Sequence, residues 1–174
     1  MKTIGVISDT HGLMRPEALE ILSGADLIIH AGDIGAREVL ESLRLITDVV
    51  AIKGNNDSAS WARDVPETAE VKIGQVKIYI IHNVSDLDMD PAGAGYRVVI
   101  SGHSHAPSII EKNGVKYLNP GSAGPRRFNL PIAVARLQID GAYAAAEIIR
   151  IDPAPETKKS LTSPKRQHIK NSAF

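Results

Sequence analysis

Apolar and polar positions alternate in blocks along this chain, and the blocks predict a regular succession of elements. Ile4–Ser8 reads as a buried strand and Arg15–Leu22 as a helix that tolerates Pro16 in its first turn. Asp26–His30 is a second strand, Ala36–Leu43 a second helix and Val49–Lys53 a third strand. Glu67–Ile73 and Gln75–Ile81, joined near Gly74, read as a hairpin. A short helical or irregular piece at Ser85–Ala92 precedes another buried strand at Arg97–Ser101. Asn113-Gly114 is a strong turn signal between Ser108–Lys112 and Val115–Leu118, and Asp140-Gly141 separates Ile132–Ile139 from Ala142–Ile151. Strands outnumber helices in the second half, so the expected architecture is two packed sheets with helices outside.

Five of the apolar runs end in short polar clusters: Asp9-Thr10-His11, Gly32-Asp33, Gly54-Asn55-Asn56-Asp57, His82 and Gly102-His103-Ser104-His105. Chain leaving the carboxyl ends of neighbouring strands converges on one crevice. Carboxylate, amide and imidazole groups gathered there are what a two-metal hydrolytic site requires. Asp9, His11 and His105 are assigned to one metal and Asn55, His82 and His103 to the other. Asp33, whose carboxylate has two oxygens, is the candidate bridge. Ions about 3.5–4 Å apart can share a water, acidify it and neutralise charge on a phosphoryl oxygen.

Each piece has a plainer reading when taken alone. A strand-end Asp often caps the following helix, Asn56-Asp57 is ordinary loop chemistry, and a solitary His is more often buried and satisfied than ligating. The ordered set outweighs these readings. His30 lies inside its strand and fits a structural or supporting role better than ligation. Gly102-His103-Ser104-His105-Ala106 lacks the closing Gly of a nucleophile elbow, which argues against Ser104 as a nucleophile.

Composition narrows the chemistry. The 174 residues suit one domain with a substantial core. With no cysteine, disulfides, thiolate ligands and a Cys nucleophile are excluded. Twenty acidic and twenty basic residues cancel, and aromatic residues are only 4%, so neither an electrostatic track nor a stacking platform for long nucleic acid is indicated. The apolar runs, of about six to eight residues, fall far short of a membrane span. The chain enters its first strand at once, leaving no room for a cleavable signal ahead of Asp9, and the expected location is cytoplasmic. Residues 152–174 carry three prolines and five Lys or Arg against two acids without an apolar face, and are read as a mobile tail beyond a domain at 1–151; His168 falls in that tail. Association into a homo-oligomer is left open, because no sustained heptad fixes an interface.

The five motifs in this order resemble the calcineurin-like metallophosphoesterase superfamily over about residues 3–150. The short chain, His30-Ala31-Gly32-Asp33 and Asn119-Pro120-Gly121-Ser122 resemble its small YfcE-type phosphodiesterase branch. The resemblance implies an α/β fold, a four-layer αββα sandwich of two mixed β-sheets flanked by helices. It also implies a centre of two divalent ions, with manganese first and iron, zinc or nickel as alternatives, and the metal assignments above agree with its pattern. The implied activity is hydrolysis of a small phosphodiester by a metal-bridging hydroxide.

Two positions depart from the pattern. Asn56 stands where most active members carry a His that contacts substrate and helps protonate the leaving oxygen. Asn56 is the candidate catalytic residue, expected to orient rather than protonate, because an amide is no general acid near neutral pH. Asn83 follows His82 where Gly is common. The Asn119–Ser122 turn is a candidate for phosphate contact, and Arg126 and Arg127 can offer charge to a substrate; no substrate-binding residue is assigned. The alternative from another class is a noncatalytic, metal-binding protein-interaction module on the same scaffold, as in a retromer subunit that shares this fold.

Overall fold

The computed structural model describes residues 1–151, so the expected tail at 152–174 lies outside the described residues. Ten strands form two five-stranded mixed sheets. The first has the order β10(Tyr143–Arg150)-β9(Ala133–Asp140)-β1(Lys2–Ile7)-β2(Leu27–His30)-β3(Val49–Ala51). The second has the order β4(Thr68–Ile73)-β5(Val76–Ile81)-β6(Val98–Ile100)-β8(Val115–Asn119)-β7(Ser108–Lys112). Each contains a parallel trio, β1-β2-β3 in one and β5-β6-β8 in the other, flanked by antiparallel strands.

The sheets pack face to face through alternating positions. Ile4 and Val6 of β1 meet Val76, Ile78 and Ile80 of β5, Val98 and Ile100 of β6 and Leu118 of β8 in one fully buried layer. A one-residue slip of β5 would drive Lys77 and Tyr79 into that layer, so the apolar alternation itself pins the register. Helices α1(Pro16–Leu22) and α2(Arg37–Arg44) cover the outer face of the first sheet, burying Ala18, Leu22, Val39, Leu40 and Leu43 against Ile7, Ile28 and Val134. At seven and eight residues they are too short to hold alone and depend on that packing.

The expected sandwich of two mixed sheets with outer helices is the observed one, with its helical cover unevenly shared. Among the described residues both α-helices lie on the first sheet. The β5–β6 crossover instead contains a 3-10 turn at Val84–Asp86 and a loop that sets Tyr96 against Tyr79, with ring centroids 5.2 Å apart. Pro91, Gly93 and Gly95 in that crossover leave no stretch able to sustain an α-helix. No helix of the described residues is long and apolar enough to cross a membrane.

Candidate metal centre

The parallel trios decide where the polar clusters go. Five of their six strands deliver candidate ligands to one edge: Asp9 and His11 follow β1, Asp33 follows β2, Asn55 follows β3, His82 follows β5, and His103 and His105 follow β6, while β8 ends in Asn119. Loop-to-loop backbone bonds tie the exits together, from Asp9 N to Gly32 O, His11 N to Asp33 O, and Gly102 N to His82 O. These bonds cross between neighbouring strands, so the loops form one frame rather than separate turns.

The frame is strained at the predicted ligands. Asp9, His11, Asp33, His103 and His105 have φ between 47° and 66°, in the left-handed region. Only Asn113 and Phe128 join them among the described non-glycine residues, so five of seven such positions are predicted ligands. Side chains are held in that region at a cost of about 1–3 kcal/mol each, and such strain gathers at functional sites. Glycines permit the close approach. A Cβ on Gly54 would collide with the Asp33 carboxylate and amide, and one on Gly102 with Ser8 Oγ and, at 2.6 Å, Asp9 Oδ2.

The buried side chains divide their atoms between bracing and open valence. Asp9 Oδ2 accepts from Ser8 Oγ at 2.7 Å and from His103 N at 3.1 Å, whereas its Oδ1 has no hydrogen-bond partner and lies 3.4 Å from His105 Nε2. His82 donates Nδ1–H to Ala31 O at 2.8 Å, which leaves a buried, unpartnered Nε2 3.5 Å from Asp33 Oδ2. His11 Nε2 and His105 Nε2 approach to 3.3 Å. His103 Nδ1 lies 3.1 Å from Asn55 Oδ1. Ligand atoms of Asp9, His11 and His105 fall within 4.8 Å of one another, and so do those of Asp9, Asp33 and His82. All seven predicted ligands are therefore brought to one place. Asp9 belongs to both compact groups, an overlap the sequence does not suggest. The donor set of carboxylates, imidazoles and an amide fits a first-row divalent ion.

Protonation follows the geometry. Burial pushes the Asp9 carboxyl up to about 6, against the lowering hydrogen bond from Ser8. Burial also pushes His105 down to about 4, helped by the Arg127 charge, and lowers His11. For Asp33 burial again opposes charge, but the His82 imidazole close by and the hydrogen bonds from the Asn56 backbone and side chain prevail and hold the carboxyl well below its ordinary range. His82 is raised: its burial is outweighed by Asp33 and by the Ala31 carbonyl. The centre thus presents an ionised Asp33 beside neutral His11 and His105, a set ready to accept cations.

Several surrounding residues have structural roles. The Asn56 amide nitrogens, backbone and side chain, donate to Asp33 Oδ1 at 2.9 Å and Oδ2 at 2.7 Å, so the residue orients that carboxylate. Asp57, which reads as plain loop chemistry in the sequence, is 5% exposed and accepts from Ile34 N, Gly35 N and Gly54 N. It locks the second motif to the third. Its signal in the sequence is only its place two residues after Asn55. Asn83 accepts from Ser85 N and caps the 3-10 turn, which accounts for a side chain where Gly is common. Ser104 Oγ accepts from Asn119 Nδ2 and from Ala106 N, as befits a bracing residue. Asn119 also donates to Gly102 O, and Ser122 Oγ donates to Asp9 O. The Asn119–Ser122 turn accordingly supports the ligand loops with the very groups that phosphate contact would use.

His30 is fully buried. Gly32 N donates to its Nδ1, so the neutral ring carries its proton on Nε2 and donates to Thr10 Oγ1, which in turn donates to Ile34 O. Burial pushes its pKa down to about 3. Between pH 6.5 and about 3 the unfolded chain binds the proton and the folded chain does not, so this group makes stability fall as pH falls. Urea titrations of metal-free protein are expected to show a His30 contribution of up to about 1.4 kcal/mol per pH unit in that window. His30→Gln should be less stable at pH 7 yet have a flatter acid limb; an unchanged limb would contradict the buried neutral ring.

Comparison with known proteins gives a consistent picture. Residues 1–142 match the model of the calcineurin-like phosphoesterase superfamily domain. A probable metallophosphoesterase of Methanocaldococcus jannaschii is 40% identical over 128 residues, spanning 68% of this chain and 67% of the relative. An archaeal phosphodiesterase of known structure superposes with a TM-score of 0.71 at 25% identity, covering 84% of this chain and 99% of the other. Vps29 of Entamoeba histolytica, solved as a zinc complex, shares the fold with a TM-score of 0.67 at 23% identity, over 85% of this chain and 98% of the other.

Proposed function

The chain belongs to the calcineurin-like phosphoesterase superfamily, and from that premise we propose that it is a dinuclear, metal-dependent phosphodiesterase acting on a small phosphodiester. Asp9, His11 and His105 hold one ion, Asn55, His82 and His103 the other, and Asp33 is shared. Manganese is the first choice, with iron, zinc or nickel as alternatives. The observation that carries this reading is three buried side-chain atoms without hydrogen-bond partners, Asp9 Oδ1, His82 Nε2 and His105 Nδ1, on residues whose ligand atoms cluster with those of His11 and Asp33. Unsatisfied buried polar atoms cost about 1–3 kcal/mol each, and bound cations would satisfy Asp9 Oδ1 at one position and His82 Nε2 at the other.

Bound divalent ions supply an acidified water and neutralise charge on the phosphoryl oxygens. The protein's own part is positional. Ser8 and the His103 amide fix Asp9, Ala31 fixes the His82 tautomer, and Asn56 aligns Asp33 while leaving each carboxylate oxygen a further lone pair. Asn56 cannot protonate a leaving oxygen, so activated diesters are the favoured substrates and esters of basic alcohols the poor ones.

Arg127 Nη2 lies 3.5 Å from His11 Nε2 and places a guanidinium at the rim of the centre. It is proposed to hold a non-bridging phosphoryl oxygen. Arg127→Ala is expected to raise KM about tenfold with little change in kcat, the pattern of lost uniform binding. Steady-state kinetics on manganese-loaded protein would test this, and an unchanged KM would remove Arg127 from the site.

The activity itself is tested by metal-stripped protein supplied with manganese and offered bis-p-nitrophenyl phosphate beside p-nitrophenyl phosphate. Manganese-dependent cleavage of the diester, with little monoester turnover, is the expected result. Inertness toward both despite two bound ions would favour the noncatalytic interaction module instead.

A further inference from the structure

A groove of about 440 Å³ opens from the His82, His103 and Asn55 side of the centre. Its apolar wall is Tyr79 and Ile81, and its charged groups are Lys53, Glu67, Asp86 and Asp88. Lys53 is spent on Glu67 at 3.3 Å. Asp86 and Asp88 are exposed and have no ion-pair partner among the described residues, which leaves the groove with two uncompensated negative charges. His82, 7% exposed, joins the groove to the centre: it lines the groove, and its unpartnered Nε2 lies 3.5 Å from Asp33 Oδ2. A pocket joined to a phosphoester centre at one end, apolar along its wall and anionic at its mouth, has the features of an alcohol-binding subsite for a positively charged group.

We infer that this groove receives the alcohol portion of the substrate and selects phosphodiesters in which that alcohol carries an ammonium group. The inference rests on the phosphodiesterase reading above. The volume exceeds what a small amino alcohol needs, and the wall accommodates its alkyl body. Asp86 and Asp88 attract the cation through solvent, whereas a second phosphate or a carboxylate at the same place meets like charge. Rim charges of this kind discriminate between partners more than they add raw affinity. Arg127 lies at the opposite, His11 side of the centre, so the site presents positive charge to the phosphate and negative charge to the alcohol.

Two probes of one shape separate charge from fit: phosphocholine and its uncharged isostere 3,3-dimethylbutyl phosphate. Their binding to the manganese-loaded full chain is to be measured by calorimetry at low and high salt. Phosphocholine is expected to bind about fivefold more tightly at low salt, the scale of exposed charge pairs, with the preference fading as salt is raised. The D86N/D88N double variant should lose the preference while binding two manganese ions and the uncharged probe as before. Lys53→Gln, which frees Glu67, should enlarge it. Equal binding of the two probes to the wild-type protein, or a preference that survives D86N/D88N, would overturn the inference and leave the phosphoesterase reading standing. Failure of both probes to bind a chain loaded with two ions would overturn the inference, while the phosphodiesterase reading stands or falls separately on manganese-dependent cleavage of bis-p-nitrophenyl phosphate.

Discussion

Asp33→Asn is expected to yield a folded protein that holds at most one divalent ion and loses diester hydrolysis by more than the ~100-fold typical of a disturbed supporting residue. The argument starts from charge. Asp33 is the carboxylate with one oxygen close to both imidazole sets, Oδ2 lying 3.5 Å from His82 Nε2 and 3.9 Å from His11 Nε2. An amide at this place offers one neutral oxygen where two cations need a shared anion, and its NH2 group faces the Asn56 donors. The carboxylate's low pKa is a measure of how strongly the surroundings have been built to keep it charged. Fold should survive, because the side chain carries no core packing. Calorimetric titration with manganese would read the stoichiometry directly. Two ions and full activity in the variant would remove the bridge from the account.

Asp57→Ala is expected to cost on the order of 3–5 kcal/mol of stability and to weaken metal binding about 10–100-fold, although no metal assignment involves this residue. Its carboxylate accepts three backbone N–H groups, at 3.0 Å from Ile34, 2.8 Å from Gly35 and 2.9 Å from Gly54. Truncation leaves those donors without an acceptor in a part of the protein that is almost wholly buried. The loop carrying Asp33 and the loop carrying Asn55 would then be free to separate. Asp57→Asn restores one acceptor oxygen and turns an NH2 toward donors, so it should fall between Ala and wild type. Urea unfolding of the three proteins checks the order, and a stability loss below about 1 kcal/mol for Ala would show that the tie is dispensable.

The sequence makes the sheets and the candidate ligands readable for one reason. Each parallel strand is a short run of β-branched and aliphatic residues, and each ligand follows its strand within a few positions. The runs Ile4–Ile7, Val76–Ile81 and Val98–Ile100 therefore mark both core and site edge. What stayed hidden depends on partners distant in the chain. Asp57 looks like a turn residue because its partners Ile34 and Gly35 lie more than twenty positions away. The left-handed backbone at Asp9, His11, Asp33, His103 and His105 is invisible for a different reason. The residue type that advertises such a conformation is glycine, and here strain is imposed by the loop frame on side chains the chemistry needs. The bracing role of Asn119 and Ser122 required knowing that β8 ends beside β6.

The rival reading, an interaction module on the same scaffold, has fold likeness to Vps29 in its favour. Against it stands the backbone and charge built around the candidate ligands. A scaffold serving assembly alone has no use for five strained side chains and a carboxylate kept ionised at the centre of them. Both readings allow bound metal, and they part at the phosphorus.

The most direct measurement is an anomalous difference map from crystals of the manganese-loaded protein. The account predicts two peaks about 3.5–4 Å apart, one against Asp9, His11 and His105 and the other against Asn55, His82 and His103, with Asp33 reaching both. A single peak, or peaks at other residues, would contradict it.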